Sequence, residues 1–217
     1  MTYNGKVVVG GPADVRELAN LTISKLAVGP YNNNCYLLRC RATGAQLLID
    51  AAAEPDKLLD LVGPEPLGTV VTTHSHPDHW AALGAVKSAT SARLIAHQDD
   101  AEAIPVAQDE VVADGALIRF GEINLTAVHL VGHTPGSIAL RYDDPDGPPH
   151  VFTGDCLFPG GIGRTTTPED FASLLQGVRS KLFDVLPDET WIYPGHGNDT
   201  TLGAERSHLA EWRERGW

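Results

Sequence analysis

Four side chains able to bind a metal ion fall within six positions at His74-Ser75-His76-Pro77-Asp78-His79. No regular element aims all four at one point. A strand puts positions 74, 76 and 78 on one face and sends 79 to the other. A helix sets 74 and 76 more than half a turn apart. The segment is therefore expected to be a tight turn wrapped around something, with Pro77 in its middle. Imidazole and carboxylate donors together favour a borderline or hard divalent ion: Zn, Fe or Mn. The plain alternative is a solvated polar loop. It is disfavoured by the apolar strand-like run Thr69-Val70-Val71-Thr72-Thr73 before the segment and a helix-like apolar run after it.

Matching donors recur downstream. His133 lies in Val131-Gly132-His133-Thr134-Pro135-Gly136, Asp155 in Phe152-Thr153-Gly154-Asp155-Cys156, and His196 in Tyr193-Pro194-Gly195-His196-Gly197. Each adjoins a short apolar run and is flanked by Gly or Pro, as expected where a loop at a strand end presents a side chain. Together these make five His and two Asp. A single structural zinc takes about four ligands, so the set suits two ions sharing a carboxylate. Two carboxylates and a hydroxide would offset most of the charge of two divalent ions.

In this order the seven residues resemble the metallo-β-lactamase superfamily, and the finer likeness is to its glyoxalase II-like (hydroxyacylglutathione hydrolase-like) branch. Thr153-Gly154-Asp155, Leu157-Phe158 and Gly160-Gly161-Ile162-Gly163-Arg164 resemble that branch's loop after its bridging Asp. Pro194-Gly195-His196-Gly197 and Thr200-Thr201-Leu202-Gly203-Ala204-Glu205-Arg206 resemble the end of its short, single-domain members, and Asn34-Cys35-Tyr36-Leu37-Leu38 with Leu48-Ile49-Asp50 its opening hairpin. The likeness spans roughly residues 21 to 206. It implies an αββα sandwich, two mixed β-sheets flanked by helices, with the metals at one edge. It also implies that His74, His76 and His133 hold one ion, that Asp78, His79 and His196 hold the other, and that Asp155 bridges. Asp78 is in addition the expected catalytic residue, because it would lie beside the nucleophile.

The elements that must position these residues can be read coarsely. Residues 21–28, 34–40 and 45–50 read as strands joined by Gly and Asn turns. Pro55 to Val62 reads as a helix with Pro near its first turn. Gly68 to Thr73 reads as a buried strand feeding the metal turn, and Asp78 to Ala89 as a helix. A strand at 92–96 and a short helix at 98–103 follow, then strands at 115–120, 123–129, 137–142 and 150–153. Asp143 to Pro149 reads as a hairpin loop. Residues 168–186 read as helical, 189–193 as a strand and 203–214 as a last helix. β-rich stretches with helices on both sides suggest two face-to-face sheets with helices outside. No linker or repeat divides residues 1–217, so one hydrolase domain is expected.

Composition narrows the function. The 217 residues carry 42% hydrophobic and 20% charged residues, ordinary for a globular chain. A net charge of −12 with no basic run argues against nucleic acid, which is held by Lys and Arg at phosphates. No charged and apolar leader precedes the first strands, and no apolar run is long enough for a membrane. The odd count of cysteines, Cys35, Cys40 and Cys156, with no CxxC spacing, fits a reducing cytoplasm. An exported β-lactamase is thus not expected. Some true β-lactamases ligate through Cys, but the Thr-Gly-Asp register gives that position to Asp155 and leaves Cys156 to packing.

Two ions a few ångströms apart lower the pKa of a shared water to roughly 7 and make a hydroxide nucleophile. Zn is the first expectation, Fe or Mn the alternatives. An acyl-thiol thioester is the favoured small-molecule substrate, since thiolate leaves readily, and a lactone or similar activated ester is a close variant. Only 21 residues follow His196, too few for the helical domain that helps two-domain glyoxalase II enzymes hold glutathione. The carrier thiol and the oligomeric state stay open. A different class is a one-iron sulfur dioxygenase of the same branch, using His74, His133 and Asp155; a third is a non-catalytic metal-binding module. Arg164 either reaches a substrate carboxylate or makes a structural bond, and Trp80 either lines the pocket mouth or packs a helix. His129 either orients a ligand from outside or packs, and Asp50 either buttresses a ligand His or caps a turn. His97, His150 and His208 match no ligand position and are expected at the surface or in caps.

Overall fold

Runs of Val, Ile and Leu too short and too apolar for surface helices build two sheets. The computed structural model describes residues 3–216. The first sheet contains β1 (Asp14–Glu17), β2 (Leu21–Val28), β3 (Asn33–Cys40), β4 (Gln46–Ile49), β5 (Leu67–Val71), β6 (Arg93–His97) and β7 (Glu110–Val112), in that spatial order. β1 to β4 are antiparallel neighbours, and β4 to β7 pair in parallel. Parallel pairing needs crossovers, and α1 (Pro55–Val62) and α2 (Leu83–Thr90) supply two of them.

The second sheet is built from β8 (Leu117–Phe120), β9 (Ile123–His129), β10 (Ile138–Tyr142) and β11 (His150–Gly154). A two-strand ribbon follows, β12 (Leu157–Phe158) with β13 (Gly161–Ile162). After α3 (Pro168–Val178), β14 (Trp191–Pro194) lies parallel to β11, and β15 (Thr200–Thr201) closes the edge. α4 (Leu202–Arg206) and α5 (Leu209–Arg215) end the described chain.

Alternation along the strands sets the layers. Tyr36, Leu38, Leu47, Ile49 and Val71 meet Leu125, Leu140, Phe152 and Tyr193 between the sheets. The intervening Leu37, Leu48 and Val70 point outward onto Leu58, Val62, Leu83 and Val86 of the first two helices. On the other side Val128, Val151 and Ile192 pack under Phe171, Leu174 and Trp212. Each fully buried Leu, Ile or Phe contributes about 1.5–3 kcal/mol. The architecture is the expected αββα sandwich of two mixed sheets flanked by helices.

Several local expectations need correction. The helix expected from Asp78 is a 3₁₀ turn at Pro77–His79, and α2 starts only at Leu83. The reason is tertiary: the Ala82 amide donates to Ala51 O, and Trp80 Nε1 donates to Ser75 O. The first bond captures a backbone donor that an α-helix would use internally, and the second pins the Trp80 side chain to the turn. The helical region after Pro168 passes through a π-helical turn at Arg179–Phe183. The last helix is broken at Ser207 and His208 into two. The short strands β1, β7 and β15 and the two-residue ribbon carried no readable period. Among the described residues, no helix is long and apolar enough to cross a membrane.

Candidate metal centre

β4, β5, β9, β11 and β14 all finish at one edge of the sandwich, and the chain leaving the last four carries the seven candidate side chains. His74, His76, Asp78 and His79 lie beyond β5, His133 in the turn between β9 and β10, Asp155 after β11, and His196 after β14. Their donor atoms converge. His76 Nδ1 is 2.9 Å from His133 Nε2, which is 3.3 Å from His74 Nε2. His79 Nε2 is 3.3 Å from His196 Nε2, and Asp78 Oδ2 is 3.4 Å from His196 Nε2. Asp155 stands between the groups: Oδ1 is 3.4 Å from His79 Nε2, and Oδ2 is 3.6 Å from His133 Nε2 and 3.5 Å from His196 Nε2. The sets His74–His76–His133, His74–His79–Asp155 and Asp78–His79–His196 each keep their donor atoms within 4.8 Å of one another.

The hydrogen bonds on the far side of each ring say what these atoms are. His133 Nδ1 donates to Arg164 O at 2.7 Å, His196 Nδ1 to Tyr31 O at 3.0 Å, and His79 Nδ1 to Asp50 Oδ2 at 2.8 Å. Thr73 Oγ1 spends its proton on Asp50 Oδ2, so it accepts the Nδ1–H of His74 at 3.1 Å. Four rings therefore spend Nδ1 on the far side and turn Nε2 toward one another, where each can ligate a metal once free of a proton. Donor pairs about 3.3 Å apart are what a tetrahedral ion with bonds of about 2.0–2.1 Å requires. Asp155 Oδ1 is buried and makes no hydrogen bond. An orphaned buried carboxylate oxygen among converging lone pairs fits a divalent cation.

The electrostatics divide the centre. Burial, helped by the neighbouring His79 charge, holds His74 well below the usual imidazole range, and burial also lowers His133. Burial pulls His79 down too, but Asp50 and Asp155 overcome it and push its pKa up to about 10. Burial works against Asp155 as an anion, yet attraction to His196 and His79 holds its carboxyl well below the usual range.

Glycine makes the close approach possible. A Cβ on Gly195 would lie 2.3 Å from Asp155 Oδ1, and one on Gly163 would lie 1.7 Å from Asp155 O. A cavity of ≈ 640 Å³ opens beside the centre, lined in part by Phe158, Ile162, Arg164, Thr165 and Thr166. The Arg164 side chain is exposed at this cavity, while its carbonyl serves His133.

The remaining candidates separate. Asp50 buttresses His79, and Trp80 braces the turn through Ser75. Cys156 is buried in the outer apolar cluster, and burial pushes its thiol well up, as a packing residue requires. His129 Nε2 donates to Pro135 O at 2.8 Å, so it supports the loop after His133 through the backbone and touches no candidate ligand. Two expectations fail. His97 and His150 are buried, each 1% exposed, because each ring stacks on another, on His129 and Tyr193 respectively. His208 alone of the three is exposed. The His97 and His129 rings lie 3.8 Å apart at 27°, and with Asp99 they bring three donor atoms within 4.8 Å of one another, away from the seven candidate ligands. Sequence reading missed Asn33, whose Nδ2 donates to Asp78 Oδ2 at 2.9 Å, and Asp100. It also missed buried Lys25, whose ammonium ties Gly5 O, Gly197 O and Asp199 behind the His196 loop. Nothing in their local sequence marks them.

The fold and this edge define a metal-binding αββα protein, and the chain belongs to the metallo-β-lactamase superfamily: the family model described as "Metallo-beta-lactamase superfamily" matches residues 28–196. Within it the chain falls in the glyoxalase II-like branch. It is 30% identical over 207 residues to hydroxyacylglutathione hydrolase GloC of Haemophilus influenzae, covering 86% of this chain and 95% of that protein. Among solved structures, ETHE1 from Myxococcus xanthus is 30% identical with a TM-score of 0.76, covering 88% of this chain and 84% of that one. TTHA1623 in a di-iron-bound form is 31% identical with a TM-score of 0.69, covering 84% and 96%. The BLEG-1 B3 metallo-beta-lactamase is 26% identical with a TM-score of 0.75, covering 88% and 99%.

Proposed function

We propose that residues 1–217 form one hydrolase domain that holds two divalent ions, zinc in the first instance, and cleaves an acyl-thiol thioester. The observation that carries this reading is the convergence of imidazole Nε2 atoms on both sides of the orphaned Asp155 Oδ1. His74, His76 and His133 would hold one ion, Asp78, His79 and His196 the other, and Asp155 would face both. Such a pair supplies an activated water at neutral pH and positive charge for a developing oxyanion. The chain's own residues do the rest. Asp50, Thr73, Tyr31 and Arg164 fix the ring tautomers through their far-side bonds. Asn33 fixes Asp78 beside His196. The adjoining cavity offers the Phe158 ring and the Arg164 guanidinium to the acyl-thiol. Names of relatives support the same chemistry: one is a hydroxyacylglutathione hydrolase, and another was solved with two irons. Three free, buried thiols fit a cytoplasmic setting.

A second reading is a one-iron dioxygenase acting on a persulfide, with His74, His133 and Asp155 as ligands; the likeness to ETHE1 fits it as well. Elemental analysis of chelator-free protein, with a panel of several acyl-thiols, a lactone, a β-lactam, a phosphodiester and glutathione persulfide, separates the readings. Close to two ions per chain and preference for S-lactoyl thioesters are expected. One iron, oxygen uptake with persulfide and no thioester cleavage would establish the second reading instead. Failure to take up any metal would remove both.

A further inference from the structure

Asp100 lies three residues past β6, far in sequence from most of the centre, and its side chain is 1% exposed. Its carboxylate accepts three hydrogen bonds, at least one on each oxygen. Oδ2 accepts the Ser75 amide at 2.7 Å and the Thr134 hydroxyl at 2.6 Å, and Oδ1 accepts the Gly136 amide at 2.8 Å. Ser75 sits between His74 and His76, and Thr134 follows His133. One carboxylate thus joins the loop leaving the first sheet to the hairpin turn of the second. These loops carry the three imidazoles of one set.

The approach is built in. A Cβ on Gly136 would lie 2.6 Å from Asp100 N and 2.8 Å from its Cβ, so the 133–136 turn reaches the carboxylate only because position 136 is glycine. Thr134 Oγ1 also meets Ser137 Oγ at 2.6 Å, and His129 holds Pro135 O from the other side. The second set is braced by other residues: Asp50 on His79, Tyr31 O on His196, Asn33 on Asp78. Asp50 touches the first set only through Thr73 and His74.

We propose that Asp100 is a positioning residue that sets the spacing of His74, His76 and His133, and so governs one ion of the pair and not the other. The inference rests on the two-ion reading above. With both oxygens engaged by Ser75, Thr134 and Gly136, the carboxylate acts through the loops. Partners that orient ligands from outside typically control metal affinity by about 10–100-fold.

The test is metal titration of metal-free wild type, Asp100→Asn and Thr134→Val with Zn and with Co²⁺, whose visible absorption reports ligand geometry. Asn keeps the volume but turns an NH₂ toward donors. Asp100→Asn should weaken one binding step by about tenfold or more and leave the other nearly unchanged, with the Co²⁺ spectrum altered for one ion only. Thr134→Val, which removes a single donor, should shift the same step less. If Asp100→Asn does not fold, Thr134→Val decides alone. Two unchanged steps would overturn the inference, as would parallel weakening of both together with a lower melting temperature of the metal-free protein. A wild type that binds no ion would sink the two-ion reading, and this inference with it. A wild type with two ions and unaltered variants would sink the inference alone.

Discussion

Asp50 Oδ2 and His79 Nδ1 meet at 2.8 Å, with the two side chains 2% and 0% exposed. That bond occupies Nδ1 of His79 and points Nε2 at His196 and Asp155. Asp50 sits at φ 58, a left-handed conformation that Asp and Asn tolerate better than most residues. Asp50→Asn should therefore fold but lose the charged acceptor. Affinity for the ion at Asp78, His79 and His196 should fall by about 10–100-fold. Competitive zinc titration checks this; unaltered binding would refute the buttress.

Asp78 makes the opposite case, a candidate ligand whose loss costs the fold little. Its side chain is 26% exposed and its one hydrogen bond comes from Asn33. Asp78→Ala should leave the circular dichroism spectrum unchanged and lower thioester turnover at least as much as losing an outer partner does, roughly 10–100-fold. Near-native turnover would show that this position is dispensable.

The seven side chains that converge were readable because each sits in a short segment punctuated by Gly or Pro at a strand end, a local signal. Their braces were not. Asp100 meets Ser75 and Thr134 across 25 and 34 residues, and Asn33 meets Asp78 across 45, so only folding makes them partners. The same holds for the helix start: the apolar run after Asp78 has a helical period, but Ala51 O takes the Ala82 amide. The layers were readable because strands such as Gln46–Ile49 and Leu67–Val71 are apolar on both faces. Edge strands such as β1 and β15 owe their existence to neighbours rather than to their own residues. The buried His97 and His150 escaped for a similar reason, since their stacking partners His129 and Tyr193 lie on other strands.

His150 gives a pH dependence with a defined sign. Burial, reinforced by the Arg16 charge, lowers its pKa from 6.5 to about 4. The unfolded chain takes up the proton first as pH falls, so the neutral buried ring contributes fully above pH 6.5 and progressively less down to about pH 4. The limit is on the order of 3 kcal/mol. His150→Gln, which keeps a partner for Tyr193, should flatten the slope of unfolding free energy against pH across that window. An unchanged slope would exclude His150 as its source.

His97→Ala should cost stability without touching the metals. The ring is buried against His129, and its Nδ1 accepts the Asp99 amide at 3.2 Å. Deleting it leaves a cavity, worth roughly 1–3 kcal/mol. Denaturant unfolding should show the loss, with metal content still at the wild-type level. Wild-type stability would mean that the stack contributes nothing.

Gly195→Ala should do the reverse. The new methyl would lie 2.3 Å from Asp155 Oδ1 and 2.8 Å from His79 Cε1. The loop cannot retreat, because the Gly195 amide donates to Gly154 O at 2.8 Å and its carbonyl accepts the Asn34 amide at 2.7 Å. Gly195 is not in the left-handed region, so alanine brings no backbone strain there and the clash falls on the two candidate ligands. Gly68→Ala is the matched control: it meets only Gln46 O at an ordinary 3.6 Å and should leave metal binding alone. The expected outcome is a folded Gly195→Ala protein with depleted metal and little thioester turnover, beside a Gly68→Ala protein that retains both. Full metal content in the Gly195 variant would show that Asp155 and His79 can shift without losing the ions, and would contradict the tight geometry on which the centre rests.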